Sequence, residues 1–159
     1  MVPSPPGNLS PRSRDGPAGR DTLHAVQHIL VATDSDAVFA ELDAALGSSE
    51  CELHRVQAGR EVRSAVLERD PDLIVLDLQI GAMGGFAACL DLRHEQSADR
   101  LPPQRILLLI DREADDFLAR RSGADGWILK PLDPIRLRRA ATAVLEGIDW
   151  ADAADVVTL

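Results

Sequence analysis

Ionisable residues stand where three short apolar runs end, and their types and order are suited to joint chemistry. The run HILVAT (28–33) leads into Asp34 and Asp36, DLIVLDL (72–78) carries Asp77 and is followed by Gln79, and GWIL (126–129) leads into Lys130-Pro131. Two carboxylates brought together repel unless one is protonated or a cation sits between them. A hard divalent ion such as Mg²⁺ suits oxygen ligands, keeps several waters and takes only one or two protein carboxylates. Lys130 would add a mobile ammonium able to pair with Asp77 or with a phosphoryl oxygen attached to it. Carboxylate nucleophile, metal and lysine together describe an aspartyl phosphorylation site, in which Asp77 forms an acyl phosphate and the transferring charge is neutralised electrostatically.

Each of these residues has an ordinary structural explanation when taken singly. An Asp at a strand end commonly caps the next helix, so Asp34 or Asp36 could simply cap the first one. Lys-Pro is a common loop dipeptide. The chemical interpretation rests on their concurrence at the carboxyl ends of strands one, three and five, the edge where open parallel sheets bind ligands.

The elements that must deliver them follow from apolar periodicity. From Gln27 onward, short apolar runs alternate with amphipathic stretches, the signature of repeated βα units. HILVAT is a strand buried on both faces. Asp36 suits the N-cap of a first helix carrying Phe39, Leu42 and Leu46, with Gly47 ending it. CELHRV (51–56) is a second strand; Val62, Ala65 and Val66 stripe a second helix that Asp70-Pro71 stops.

After the strand that bears Asp77, glycines at 81, 84 and 85 precede a helix with Phe86, Cys89 and Leu90. RILLLI (105–110) is a fourth strand with Asp111 beyond it, and Ala114, Phe117 and Leu118 form the face of a fourth helix capped by Gly123. GWIL is the fifth strand. Asp133-Pro134 opens a last helix with Leu137, Ala140, Ala141, Val144 and Leu145 buried, and Gly147 ends it. Five such units predict an α/β fold with a single doubly wound five-stranded parallel sheet in the order 2-1-3-4-5, since a closed barrel needs eight strands and about 250 residues.

Composition sets the boundaries. At 159 residues the chain accommodates one domain, and a net charge of −9 argues against a broad basic face for nucleic acid or anionic lipid. Residues 1–20 are rich in Pro, Gly and Ser and read as a flexible tail, with a PxxP ligand as the less favoured alternative. DTLHAVQ (21–27) is a short helical turn leading into a domain spanning 21–147. The stretch 148–159, with Trp150, is an acidic extension or linker. Cys51 and Cys89 fit no metal or redox spacing and read as reduced core thiols. His24, His28, His54 and His94 show no ligand spacing. No apolar run spans a membrane and no secretory leader is evident, so a cytoplasmic protein is expected.

The segments ILVATDSD, PDLIVLDLQIGAMGG and SGADGWILKPLD, with the spacing between them, resemble the receiver domains of two-component response regulators over roughly residues 28–147. The resemblance implies a flavodoxin-like receiver fold in which Asp77 is the phosphoacceptor, Asp34 a direct Mg²⁺ ligand, Gln79 a ligand through its backbone carbonyl, and Lys130 the phosphate-binding lysine before a cis proline. It further implies a phosphoacceptor signalling domain rather than an enzyme. The implied partner is a histidine kinase or histidine phosphotransfer protein. A homodimer through helix four, strand five and helix five is also implied, and Arg136, Arg138 and Arg139 make that last helix locally basic.

Three departures from the family pattern stand out. Thr33 occupies a place that is usually acidic. The end of strand four offers Ile110 or Leu108 where the family has Ser or Thr, and neither can donate a hydrogen bond. Gly81 and Gly84 replace a proline and an aspartate after the phosphoacceptor, predicting a looser loop. Trp127 takes the place of the family's aromatic switch residue, and a packed sheet-edge aromatic accounts for it equally well. Two functions therefore compete: a competent phosphoacceptor, and a pseudoreceiver that keeps the fold as an interaction or dimerisation module. A flavodoxin-like cofactor binder ranks behind both, because no phosphate-cradling loop follows strand one.

Overall fold

The computed structural model describes residues 26–151. The Pro-rich stretch 1–20, most of the expected helical turn, His24 and residues 152–159 lie outside the described residues. In chain order the elements are β1 (Gln27–Ala32), α1 (Asp36–Leu46), β2 (Cys51–Val56), α2 (Val62–Arg69), β3 (Leu73–Asp77), α3 (Gly85–Ser97), β4 (Ile106–Ile110), α4 (Asp116–Ser122), β5 (Gly126–Leu129), α5 (Pro134–Leu145) and β6 (Trp150–Ala151). Short 3₁₀ turns at Gly59–Glu61 and Glu113–Asp115 lead into α2 and α4.

All strands run parallel in the order β2-β1-β3-β4-β5-β6. Both faces of the sheet are covered, which is why its central strands read as unbroken apolar runs. Leu30, Ile74, Leu76, Ile106, Leu108 and Ile110 pack under α2, α3 and α4. Ile29, Val31, Leu73, Val75, Leu107, Leu109 and Ile128 alternate with them and pack under α1 and α5. Strand order reverses between β1 and β3, so their carboxyl ends open the crevice at the centre of the sheet edge.

Several expectations require correction. The sheet has six strands rather than five: Trp150 and Ala151, read as extension or linker, pair with Gly126 and Trp127. Trp150 packs against the α1/α5 core, and its burial recruits the strand. Gln27, placed in the helical turn, belongs to β1 and pairs with Cys51. The N-cap of α1 is Ser35, whose hydroxyl accepts from Val38 N at 3.3 Å, while Asp36 is the first helical residue and pairs with Arg55 at 2.7 Å.

The face of α4 also differs. Phe117 and Leu118 are 62% and 38% exposed and Ala114 is exposed, whereas Ala119 and Ser122 are buried. The preceding turn sets this phase, since the Asp115 carboxylate accepts from Arg112 N at 3.1 Å. Small residues on the buried face then let α4 approach α3, where Cys89 Sγ donates to Ser122 O at 3.4 Å. On α3 itself Leu90 is exposed, and Ala88, Cys89 and Leu92 form the buried face.

An ionic cluster joins the helices outside the core. Arg63 of α2 binds Asp91 of α3 at 2.7 Å, and Glu95 of α3 binds Arg100 at 2.7 Å, with Arg63 3.7 Å from Glu95. The hydrogen bond from Arg100 holds the Glu95 carboxyl below the usual range against the opposing effect of burial, with the charges of Arg100, Arg63 and His94 adding to it. Cys51 and Cys89 are both free; Cys89 is a buried core thiol as expected, whereas Cys51 is only half-buried at the edge of the core, and burial pushes both thiols up, with the Asp72 charge adding to it at Cys51.

Candidate functional site

Strand β3 ends on Asp77, whose side chain is 2% exposed at the strand-order reversal. A carboxylate this deep needs partners. Oδ1 accepts from Lys130 Nζ at 2.8 Å and from Gln79 N at 3.1 Å, and Oδ2 accepts from the Thr33 hydroxyl at 2.8 Å. Thr33 is fully buried, and its oxygen also accepts from Ser35 N at 3.2 Å. One neutral hydroxyl thus links the end of β1, the α1 cap and the carboxylate.

Lys130 follows β5, and its backbone N–H donates to Ile110 O at 2.9 Å, continuing the ladder with β4. The Lys130-Pro131 peptide is cis, as the sequence resemblance implied. Burial alone would push the ammonium's pKa down. The hydrogen bonds and charges of Asp77, then Asp111, outweigh it and hold Lys130 above its ordinary value.

Asp34 is exposed at the mouth of the site, and its Oδ2 accepts from Gly81 N at 3.0 Å. It is therefore tied to the loop that follows Asp77 rather than to Asp77 itself. Gln79, also exposed, meets Asp77 through its backbone N–H. Among the described residues no group of three or more His, Cys, Asp or Glu has a metal-holding arrangement. The residues expected to hold a metal are linked here through backbone donors, Asp77 to Gln79 N and Asp34 to Gly81 N.

The loop between β3 and α3 is fixed by close backbone approaches. Ile80 N donates to Asp77 O at 3.2 Å, Gly85 N to Leu78 O at 3.4 Å, and Gly59 N to Gly81 O at 3.4 Å. A Cβ on Gly85 would lie 2.4 Å from Asp77 O, and one on Gly59 would lie 1.8 Å from Met83 O. Left-handed backbone falls on Ala82 (φ 56°) and Met83 (φ 121°), not on Gly81 or Gly84. Side chains rarely adopt such angles, so the surroundings impose them.

The structure adds Asp111, which sequence reasoning placed at a strand end without giving it a role. Its Oδ1 lies 3.2 Å from Lys130 Nζ. Leu108 and Ile110, the two candidates for the family's hydroxyl position, are buried in the core. The residue after them is the one that reaches the lysine. Trp127 is 8% exposed, with the Arg120 guanidinium 5.7 Å over its ring. As a whole the pocket can present a buried carboxylate nucleophile beside an ammonium, with a second carboxylate at its mouth.

Comparisons with known proteins follow the same lines. The family model for the response regulator receiver domain matches residues 29–142. The DNA-binding response regulator MtrA of Mycobacterium tuberculosis is 33% identical over 140 residues, covering 83% of this chain and 59% of that protein. PilH of Pseudomonas aeruginosa is 26% identical over 119 residues, covering 75% of this chain and 98% of that protein. The chain spans about half the length of several of the curated relatives it matches, for example 51% and 50% of two regulators. Among solved structures, the chemotaxis response regulator CheY4 of Vibrio cholerae superimposes with a TM-score of 0.65 at 22% identity, over 76% of this chain and 99% of that one.

Proposed function

The chain belongs to the family of response regulator receiver domains of two-component systems, and from that premise we propose that it accepts a phosphoryl group on Asp77 from a histidine kinase or histidine phosphotransfer protein. The observation that carries the proposal is the 2.8 Å contact between the Lys130 ammonium and the buried Asp77 carboxylate at the sheet's strand-order reversal. An Asp77 oxygen attacks phosphorus, the bond from phosphorus to the donor breaks, and the donor leaves with the electron pair. Lys130 follows the incoming charge, passing from the carboxylate to a phosphoryl oxygen. The Asp34 and Asp77 carboxylates and the Gln79 carbonyl form a hard-oxygen set suited to Mg²⁺, which when bound would neutralise phosphoryl charge. The domain acts as a signalling phosphoacceptor and not as a turnover enzyme.

Incubation with Mg²⁺ and acetyl phosphate tests this: a hydroxylamine-sensitive mass increase of one phosphoryl group, mapped to Asp77, is expected. Its absence would favour the alternative, a phosphorylation-independent pseudoreceiver serving as an interaction or dimerisation module. That alternative draws on Thr33, whose neutral hydroxyl already occupies Asp77 Oδ2, and on the apolar end of β4. In either case α4, β5 and α5 are the proposed pairing surface, with Phe117 and Ile135 about as exposed as each other at 62% and 60%. No helix among the described residues is long and apolar enough to cross a membrane. A cytoplasmic location is part of the proposal.

A further inference from the structure

Lys130 is shared between two carboxylates. Its ammonium donates to Asp77 Oδ1 at 2.8 Å and to Asp111 Oδ1 at 3.2 Å. Asp111 cannot easily drift away, because it directly follows β4 and Lys130 N is bonded to the carbonyl of the preceding residue, Ile110, at 2.9 Å. The second oxygen of Asp111, Oδ2, is buried with no hydrogen-bond partner among the described residues. A carboxylate serving only the fold would be expected to satisfy both oxygens, since an unpaired buried acceptor is costly.

We propose that Asp111 is a positioning residue that acts through Lys130 as a built-in brake on phosphoryl transfer to Asp77. The inference rests on Asp77 being the phosphoacceptor. When an Asp77 oxygen attacks the phosphorus of an acyl phosphate, the phosphorus–oxygen bond to the departing carboxylate breaks and that carboxylate leaves with the electron pair. The phosphoryl group arrives with its negative charge at the lysine that Asp111 already holds. It must compete for the ammonium's donors, and it does so beside a fixed negative charge. At an effective dielectric near 20, a unit charge about 6 Å away retains enough influence after screening to change a rate on the order of tenfold.

The test separates charge from shape. The full chain, Asp111→Asn and Asp111→Glu are incubated with Mg²⁺ and a range of acetyl phosphate concentrations, and the phosphorylated fraction is followed by intact mass. Asp111→Asn removes the charge from a nearly identical outline and should raise the saturating rate on the order of tenfold. Asp111→Glu restores the charge and should stay near the parent rate, a rescue that a merely structural role would not produce. Asp111→Ser provides a second neutral variant should the amide fail to fold. Equal rates in the parent and both neutral variants, or an acceleration in Asp111→Glu matching that in Asp111→Asn, would overturn the brake and leave Asp77 as acceptor. Failure of the parent and every variant to be modified would overturn the acceptor assignment and the brake together.

Discussion

The Thr33 hydroxyl donates a 2.8 Å hydrogen bond to Oδ2 of Asp77, and both residues are buried. An ionised carboxylate at position 33 could not make that bond. It would add a further negative group to a pocket that already holds Asp34, Asp77 and Asp111 around the single Lys130 ammonium, a repulsion relieved by protonation or by an added cation. Thr33→Asp should therefore destabilise the metal-free protein by about 1–3 kcal/mol, the scale of a buried acceptor left unsatisfied. It should also tighten Mg²⁺ binding about tenfold or more in calorimetric titration near pH 8. Equal or weaker binding would mean that Thr33 already supports the metal adequately.

Asp77→Asn should abolish modification by acetyl phosphate and leave the melting temperature within a few degrees of the parent's. Asn keeps an oxygen to accept from Lys130 and Gln79 N in a nearly isosteric outline. Modification persisting on another residue would show that the acceptor is misassigned.

Gly59→Ala should lower stability by about 1–3 kcal/mol, the usual cost of forcing extra volume into a packed site. It should also slow modification of Asp77, because the new Cβ must displace Met83 O, 1.8 Å away, and with it the loop between β3 and α3. Denaturant unfolding alongside the acetyl phosphate assay checks both effects. Lost stability with an unchanged rate would show that the loop is not registered by this contact.

Glu95 makes the acid limb of stability testable. Its folded pKa is depressed, so its contribution is complete above the unfolded glutamate value of about 4.3 and is lost as pH falls below that towards the folded value. Glu95→Gln should therefore be less stable than the parent at neutral pH and converge with it in acid. A constant difference down through that range would contradict the linkage.

Phe117→Ser should change stability by less than about 0.5 kcal/mol, because its ring is 62% exposed on α4. Ala119→Leu, on the buried face of the same helix, should cost about 1–3 kcal/mol by overpacking. Thermal melts of the two variants check the helix phase directly; the reverse ranking would restore the face expected from periodicity.

Much of this architecture was legible because both sheet faces are covered, so β1, β3 and β4 appear as plain apolar runs and the residues ending them identify themselves. Contacts depending on helix phase or chain reversal were less legible. A seven-residue α4 carries too few turns for a stripe to be reliable, and its phase is set by Asp115 in the preceding turn. The two-residue β6 has no periodicity at all and exists because Trp150 packs back onto the core. Asp111 was visible as a charge beyond an apolar run. Its role depended on side-chain reach from β4 to Lys130, which spacing does not encode.

The late strand β6 has a consequence for association. An open parallel sheet ends in unpaired backbone groups that invite another chain to add itself edge to edge, a common route to aggregation. Here β6 covers Gly126 and Trp127, the first half of β5, and farther along the same strand the Leu129 carbonyl accepts from Arg136 Nη2 at 2.9 Å. Strand addition along β5 would first have to unseat Trp150 and Arg136. Partners approaching β5 itself should consequently meet β6 and the Arg136 side chain before any free β5 backbone, so continuous sheet extension from β5 first requires those two to move.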